Sequence, residues 1–294
     1  MSPRDIFLAL VVVVFWGLSF IAIKWGVELV PPLLLTALRY TFAALPAVFF
    51  IRPPKVKLSI LFAYGISIGV LQFGTVFVAI KLGLPAGLSS LVVQMQAFFT
   101  IGLAALFLGE RLSRFQTIGA TIALLGIFVI ALERFSGAAL LPLLLAVASA
   151  GFWGVGNIVT KRAGQIDMLA FVAWSSLVAP IPLLAVSLLT EGAATDWAAL
   201  AHMSWRLVGV VAFMSYGATL VGFGIWSMLL KRYPASVVAP FSLLVPVVGI
   251  GASVVLLGES LSVLEGVGSI AIFIGLLVNV FGARLFRAKQ VPAV

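Results

Sequence analysis

Residues 15–24 read FWGLSFIAIK, and residues 152–161 read FWGVGNIVTK. In each, a Trp, a Gly and a small polar side chain interrupt a long apolar run that a Lys closes. Trp16 and Trp153 are 137 positions apart, as are Lys24 and Lys161. A second pair, LFLGERLSRFQTIG from Leu106 and VLLGESLSVLEGVG from Val255, recurs at 149 positions. Pro85-Ala86 with Pro234-Ala235, and Gly126 with Gly275, keep that second spacing. The spacings differ by 12, which places extra residues between the sixth and eighth apolar runs. The polar stretch TEGAATDWAALAHMSW (190–205) is the natural place for them.

The solvent of this chain is mostly lipid. Of 294 residues, 63% are hydrophobic and 9% charged, where a soluble domain carries about 25% charged. Mean hydropathy is +1.26. Apolar runs near 20 residues are long enough to cross a roughly 30 Å hydrocarbon core as helices. They predict ten spans, at 5–27, 32–51, 58–80, 86–109, 113–131, 138–161, 168–190, 206–230, 235–258 and 262–285. The apolar part of the first is too long for a signal peptide, and it runs into IAIKWG rather than a small-residue cleavage site. Five spans per copy is an odd number, so the second copy enters from the opposite side. The expected fold class is an all-α membrane protein of ten transmembrane helices in two inverted five-helix repeats, 1–134 and 135–294. In such folds the substrate sits near the midplane, between the halves.

The net charge of +9 does not point to nucleic acid, because Lys and Arg stand singly or in pairs between apolar runs. With the N-terminus in the cytoplasm, 13 of the 18 fall inside: Arg4, Arg52, Lys55, Lys57, Arg111, Arg114, Lys161, Arg162, Lys231, Arg232, Arg284, Arg287 and Lys289. Lys24, Arg39, Lys81, Arg134 and Arg206 fall in the outer half. The positive-inside rule therefore puts both termini in the cytoplasm. Without cysteine, and with His202 as the one histidine, the sequence offers neither a disulfide nor a His or Cys metal cluster. No metal and no cofactor is expected.

These strings carry a resemblance. FWGLSFIAIK with Arg39, LFLGERLSRFQTIGATIALLGI, and the copies FWGVGNIVTK and VVLLGESLSVLEGVGSIAIFIGLLV resemble the tandem EamA-type domains of the drug/metabolite transporter superfamily. Within it, the aromatic and neutral amino-acid exporters look most similar. The resemblance implies ten helices, alternating access and export across the bacterial inner membrane. One departure stands out. The family often has a Pro in the fourth helix, where this chain has Ala97, preceded by Gln94 and Gln96. A more regular fourth helix is expected.

GERLSRFQ and GESLSVLE read as helix punctuation rather than chemistry. Gly109 and Gly258 suit left-handed C-caps, and Ser113 with Gln116 and Ser262 with Glu265 fit the capping box. Arg39 and Lys24 have two readings: snorkelling or a structural pairing, or a grip on a substrate carboxylate. Trp16 and Ser19 share a face of span one. Trp153, Asn157 and Thr160 follow similar spacing in span six, and an amide there needs partners or water. In span three, Gln72 and Thr75 share a face beside Phe73 and Phe77. In span eight, Tyr216, Thr219, Phe223 and Trp226 share one. Gln94 and Gln96 lie about 200° apart on an α-helix, so one at most should face a cavity squarely. Pro240 and Pro246 free the carbonyls of Ser236 and Ser242, which an amino group could use. The nine acids all lie at span ends or in loops, which argues against a proton relay, a membrane enzyme and a multidrug-cation site.

The expected substrate is a small, net-neutral, partly apolar solute such as an aromatic or other neutral amino acid. The expected binding residues are Trp16, Ser19, Gln72, Phe77, Gln94, Gln96, Trp153, Asn157, Tyr216, Trp226 and Ser242. The other partner is the bilayer, with no nucleic acid; the sequence leaves the oligomeric state open and is compatible with a monomer. The rival readings are a multidrug carrier, a sugar-phosphate or nucleotide-sugar carrier, which should gather several Lys and Arg at the midplane, and a passive channel.

Overall fold

The computed structural model describes residues 1–137 and 140–288, and their side chains except at 134–137, 235, 236 and 283–288. The side chains of Arg134, Arg284 and Arg287, and all of Lys289, lie outside it. Among the described residues, ten helices are long and apolar enough to cross a membrane. They are α1 (Pro3–Leu29), α2 (Pro32–Phe50), α3 (Leu58–Lys81), α4 (Ala86–Leu108), α5 (Arg114–Gly137), α6 (Leu140–Ala163), α7 (Met168–Ala201), α8 (Trp205–Arg232), α9 (Ala239–Leu257, after the short turn of helix Ala235–Val238) and α10 (Val263–Ala288). The described residues contain no strand.

Local chemistry sets the ends. Ser2 caps α1, its hydroxyl accepting from the Asp5 amide at 3.2 Å, and Pro3 starts the helix where an N–H would be idle. Gly109 and Gly258 end α4 and α9 at φ +68° and +66°, where a Cβ would be strained. Both capping boxes form. Ser113 and Gln116 exchange bonds of 2.8 and 3.3 Å, and Ser262 and Glu265 bonds of 3.3 and 3.1 Å.

Packing follows the duplication. α1 lies against α8 and α9, and α6 lies in turn against α3 and α4. α2 meets α7, and α5 meets α10. Glycines set the closest approaches. A Cβ on Gly17 would lie 2.6 Å from Val248 of α9, and one on its repeat mate Gly154 would lie 2.8 Å from Phe99 of α4. Between α5 and α10, Gly126 faces the Gly268 carbonyl and Gly119 faces that of Gly275. Small residues permit such contact where lipid supplies no hydrophobic drive.

Three expectations need correction. The stretch 190–205 is not a plain polar connection. α7 continues through it, by way of a π turn at Leu188–Gly192, as the helix Ala193–Ala201. Its polar groups bond one another: Ser187 Oγ lies 2.6 Å from the half-buried Glu191 and 2.8 Å from the buried Asp196, whose Oδ1 is left without a partner.

Secondly, α4 is not regular. It breaks into a 3₁₀ turn at Val93–Met95 although it lacks the proline, and α9 breaks likewise at Ala239–Leu244. The cause is a change of partner. The first half of α4 packs on α9, with Gly87 against Ser253 and Gly249 against Ser90, while its second half packs on α6. A tightened turn re-aims the chain between the two.

Thirdly, α3 and α8 are not uniform α-helices. They carry π segments at Gly65–Gln72 and Phe213–Val221, in matching places in the two repeats. Thr219 Oγ1 donates to the carbonyl five residues back, Met214, at 2.9 Å. A widened turn shifts every later side chain around the axis.

Candidate functional site

A cavity of about 90 Å³ lies mid-membrane between the halves. Seven of the eleven expected residues line it: Trp16, Ser19, Gln72, Gln94, Gln96, Trp153 and Ser242. Phe20, Arg39, Tyr64, Ile68, Phe73, Ser90, Val93, Phe223 and Val245 complete the wall. The duplicated tryptophans therefore share one chamber. The Trp16 indole donates to the Ala218 carbonyl at 2.9 Å, within the α8 π segment, and its ring leans on Phe223 and Trp226 at 5.4 and 5.1 Å.

Both glutamines reach the chamber, which corrects the expectation of one. At roughly 120° per residue, the 3₁₀ turn brings Gln94 and Gln96 closer around the axis than an α-helix would. Gln94 Nε2 donates to the Ser242 carbonyl at 2.9 Å. The carbonyl freed by Pro246 thus has a side-chain partner from the other half, and is not idle. Gln96 Oε1 accepts from Asn157 Nδ2 at 2.6 Å, and Asn157 also donates to Thr100 at 2.9 Å. Asn157 accordingly stands behind the wall and holds Gln96. Gln72 is 1% exposed, its carbonyl accepts from Ser149 at 2.8 Å, and its Oε1 has no partner.

The remaining expected residues lie elsewhere. Phe77 is fully buried among core side chains, edge-on to Phe73. It is Phe73, at the end of the π segment, that reaches the chamber. Tyr216 is 40% exposed on an outer groove with Leu38, Phe42 and Met203. Trp226 packs behind Trp16 rather than on the cavity. The physical reason for Tyr216 is the π segment. A stripe drawn at 3.6 residues per turn fails across it, so Tyr216 points outward while Thr219 and Phe223 point in.

The charges sort by face. On one face, Glu259 accepts from the amides of Ala86 and Gly87 at 2.9 and 3.2 Å, and Glu191 accepts from Leu33 and Leu34 at 2.9 and 3.3 Å. Two carboxylates of the second half thus cap the N-termini of α4 and α2 in the first, where the helix dipole favours them. On the opposite face Glu110, the repeat mate of Glu259, pairs with Lys161. Asp5 there bonds Tyr233 at 2.7 Å and Arg232 at 3.3 Å. Asp167 lies 2.8 Å from Lys231, whose hydrogen bond holds its carboxyl below the usual range.

The profile of the EamA-like transporter family matches residues 4–132 and 140–281. The chain belongs to that family. It is 44% identical, over 99% of both chains, to a probable amino-acid metabolite efflux pump of Salmonella typhimurium, and 43% identical over the same share to one of Escherichia coli K12. A crystal structure at 22% identity shares its fold, with a TM-score of 0.62 over 97% of this chain and 99% of the other. The EamA chain described here is therefore a multi-pass membrane transporter and not an enzyme, built as a tandem repeat within the drug/metabolite transporter superfamily.

Arg39 is the residue sequence reasoning undervalued, since snorkelling was one of its two readings. It is 3% exposed and faces the cavity rather than the headgroups. Phe73 was read only as a neighbour of the Gln72–Thr75 face, and Tyr64 and Ser90 carried no pattern of their own, because their orientation depends on the π and 3₁₀ turns beside them.

Proposed function

We propose that this EamA transporter exports aromatic and other neutral amino acids, or similar small metabolites, across the bacterial inner membrane by alternating access. The observation that carries the reading is the mid-membrane chamber between the halves. Its tryptophan and phenylalanine faces suit an apolar group, and its amide and hydroxyl groups suit polar ends. The printed names of the Salmonella and Escherichia relatives point the same way. Glu191 and Asp196 lie in the extended end of α7 and the other acids at span ends and connections, so that no acid is among the lining residues of the chamber, which favours flux without obligatory proton exchange. Arg39 is the one Lys or Arg among the lining residues, which disfavours a phosphate-bearing cargo.

The test is uptake of radiolabelled phenylalanine and alanine into proteoliposomes, with and without a pH gradient. Phenylalanine should equilibrate down its own gradient, and a pH gradient alone should not concentrate it. The Trp153→Ala protein should bind phenylalanine about two- to twelve-fold more weakly, from an aromatic contact of roughly 0.5–1.5 kcal/mol, with alanine less affected. Equal loss for both solutes, together with a large drop in melting temperature, would make Trp153 a packing residue.

The positive-inside count supports a cytoplasmic position for both termini and for Glu110, with Glu259 outside. Single cysteines at Ser113 and Ser262 should then react with an impermeant maleimide from opposite sides of intact cells, Ser262→Cys alone being labelled from outside. Labelling of both from one side would sink this orientation.

A further inference from the structure

We infer that Arg39 is the anchor for a solute carboxylate, so that the chamber selects organic acids and zwitterions over amines and neutral amides. The inference rests on the proposed amino-acid reading for the apolar part of the solute, and deepens it by naming the group the site reads.

The guanidinium lies near the middle of α2, in a helix of otherwise apolar surroundings. Nη2 donates to Thr219 Oγ1 at 3.2 Å. Nε and Nη1 are buried and have no hydrogen-bond partner. No carboxylate pairs with Arg39 among the described residues. The guanidinium carbon lies 4.0 Å from the centroid of the Phe73 ring and 5.7 Å from that of Tyr40. The Ser215 hydroxyl donates to the Arg39 carbonyl at 2.8 Å and so ties this turn of α2 to the α8 π segment. Arg39 lines both a void of about 10 Å³ and the 90 Å³ chamber, which share Tyr64, Ile68, Phe73 and Phe223 in their walls.

A cation this deep is held at high cost unless it is paired. Snorkelling cannot relieve it, because the head group is buried at mid-membrane. Internal pairing does not relieve it either, because two of its nitrogens have no hydrogen-bond partner and no acid pairs with it among the described residues. Each guanidinium nitrogen lies in one plane, and Nη2 has a second N–H. An incoming carboxylate can therefore take two parallel donors, the strongest geometry for this pair. Phe73 and Thr219 hold the fork in place before the ligand arrives. The aromatic faces of Trp16 and Trp153 are in the same chamber, for the remainder of the solute.

The test is a ligand series on purified protein in nanodiscs, read by tryptophan fluorescence. The probes are L-phenylalanine, 3-phenylpropionate, L-phenylalaninamide and phenethylamine. The two acids should bind at least ten-fold more tightly than the amide and the amine. Arg39→Met should abolish that preference, and Arg39→Lys should keep part of it. A wild-type protein that binds the amide or amine as well as the acids, or binds no acid, overturns the proposal, whatever the variants do. So does a folded Arg39→Met protein with its preference intact. Displacement of 3-phenylpropionate by chloride at equal concentration would mark an inorganic-anion site and overturn it as well. Acid-selective binding that depends on Arg39, alongside absent amino-acid flux in proteoliposomes, would uphold the anchor while rejecting the amino-acid reading.

Discussion

Gly126→Leu should be among the most damaging single changes away from the chamber. Even a methyl group at this position would lie 2.6 Å from the Gly268 carbonyl oxygen and 3.0 Å from the Ile272 amide. Those atoms are backbone, so no rotamer change can relieve the contact, and α5 and α10 must separate. Overpacking costs about 3 kcal/mol at the upper end of its usual range. For a chain of this size that is a drop in melting temperature on the order of 5–10 °C. Gly102 is the control. It lies in α4 with nothing within 4 Å of its absent Cβ, and Gly102→Leu should be neutral or slightly stabilising, since Leu is the better helix former. Thermal unfolding of both in the same detergent decides the matter. Equal melting temperatures would mean that the α5–α10 contact is not a close backbone packing.

Glu259→Gln should loosen one face of the transporter. The carboxylate takes two amides at the start of α4, and the neutral amide that replaces it loses both the charge and the second acceptor. A charge-assisted bond contributes roughly 1.5–3 kcal/mol net. About 2 kcal/mol is a shift of roughly 30-fold between closed and open forms. In an inverted repeat, the state open on this face should resemble the present state with the halves exchanged, so that Glu259 releases Ala86 and Gly87. A cysteine at Ser90, which is buried on the chamber wall just inside the cap, reports the change. Its labelling by an impermeant maleimide from the Glu259 face should quicken at least ten-fold in the Glu259→Gln background. Glu110→Gln, on the opposite face, should leave that rate unchanged or reduce it. An unchanged rate with Glu259→Gln would assign closure to apolar packing alone.

Some of this molecule was legible in its sequence, and some was not. The spans, their odd number per repeat and their caps were readable, because membrane thickness and glycine conformation leave few alternatives. The duplicated strings led directly to the chamber, since Trp16 and Trp153 both line it. Faces drawn across α3, α4 and α8 were less secure. They assumed a steady 100° per residue, which the π and 3₁₀ turns break at mid-membrane. Tyr216 was lost to the lipid side for this reason, and Gln94 and Gln96 were both gained. Arg39 was undecided for a different reason. A lone basic residue in an apolar helix has the same sequence signature whether it reaches the headgroups or turns inward, and the outcome depends on what α8 presents to it.

Under the alternating access proposed above, a guanidinium without a carboxylate partner also makes the chamber sensitive to the membrane voltage. A fixed charge whose surroundings open first to one side and then to the other crosses part of the electric field without moving far. A full crossing amounts to about 2.3 kcal/mol per 100 mV. An inside-negative potential therefore draws the empty, positively charged site toward the cytoplasm, which is the loading position for an exporter. A zwitterion leaves the net charge of the site unchanged, so its cycle moves no charge, and voltage only decides which half of the cycle is slow. A solute with a single negative charge neutralises the site on the way out, and the empty return step then couples the cell's resting potential to expulsion of the anion.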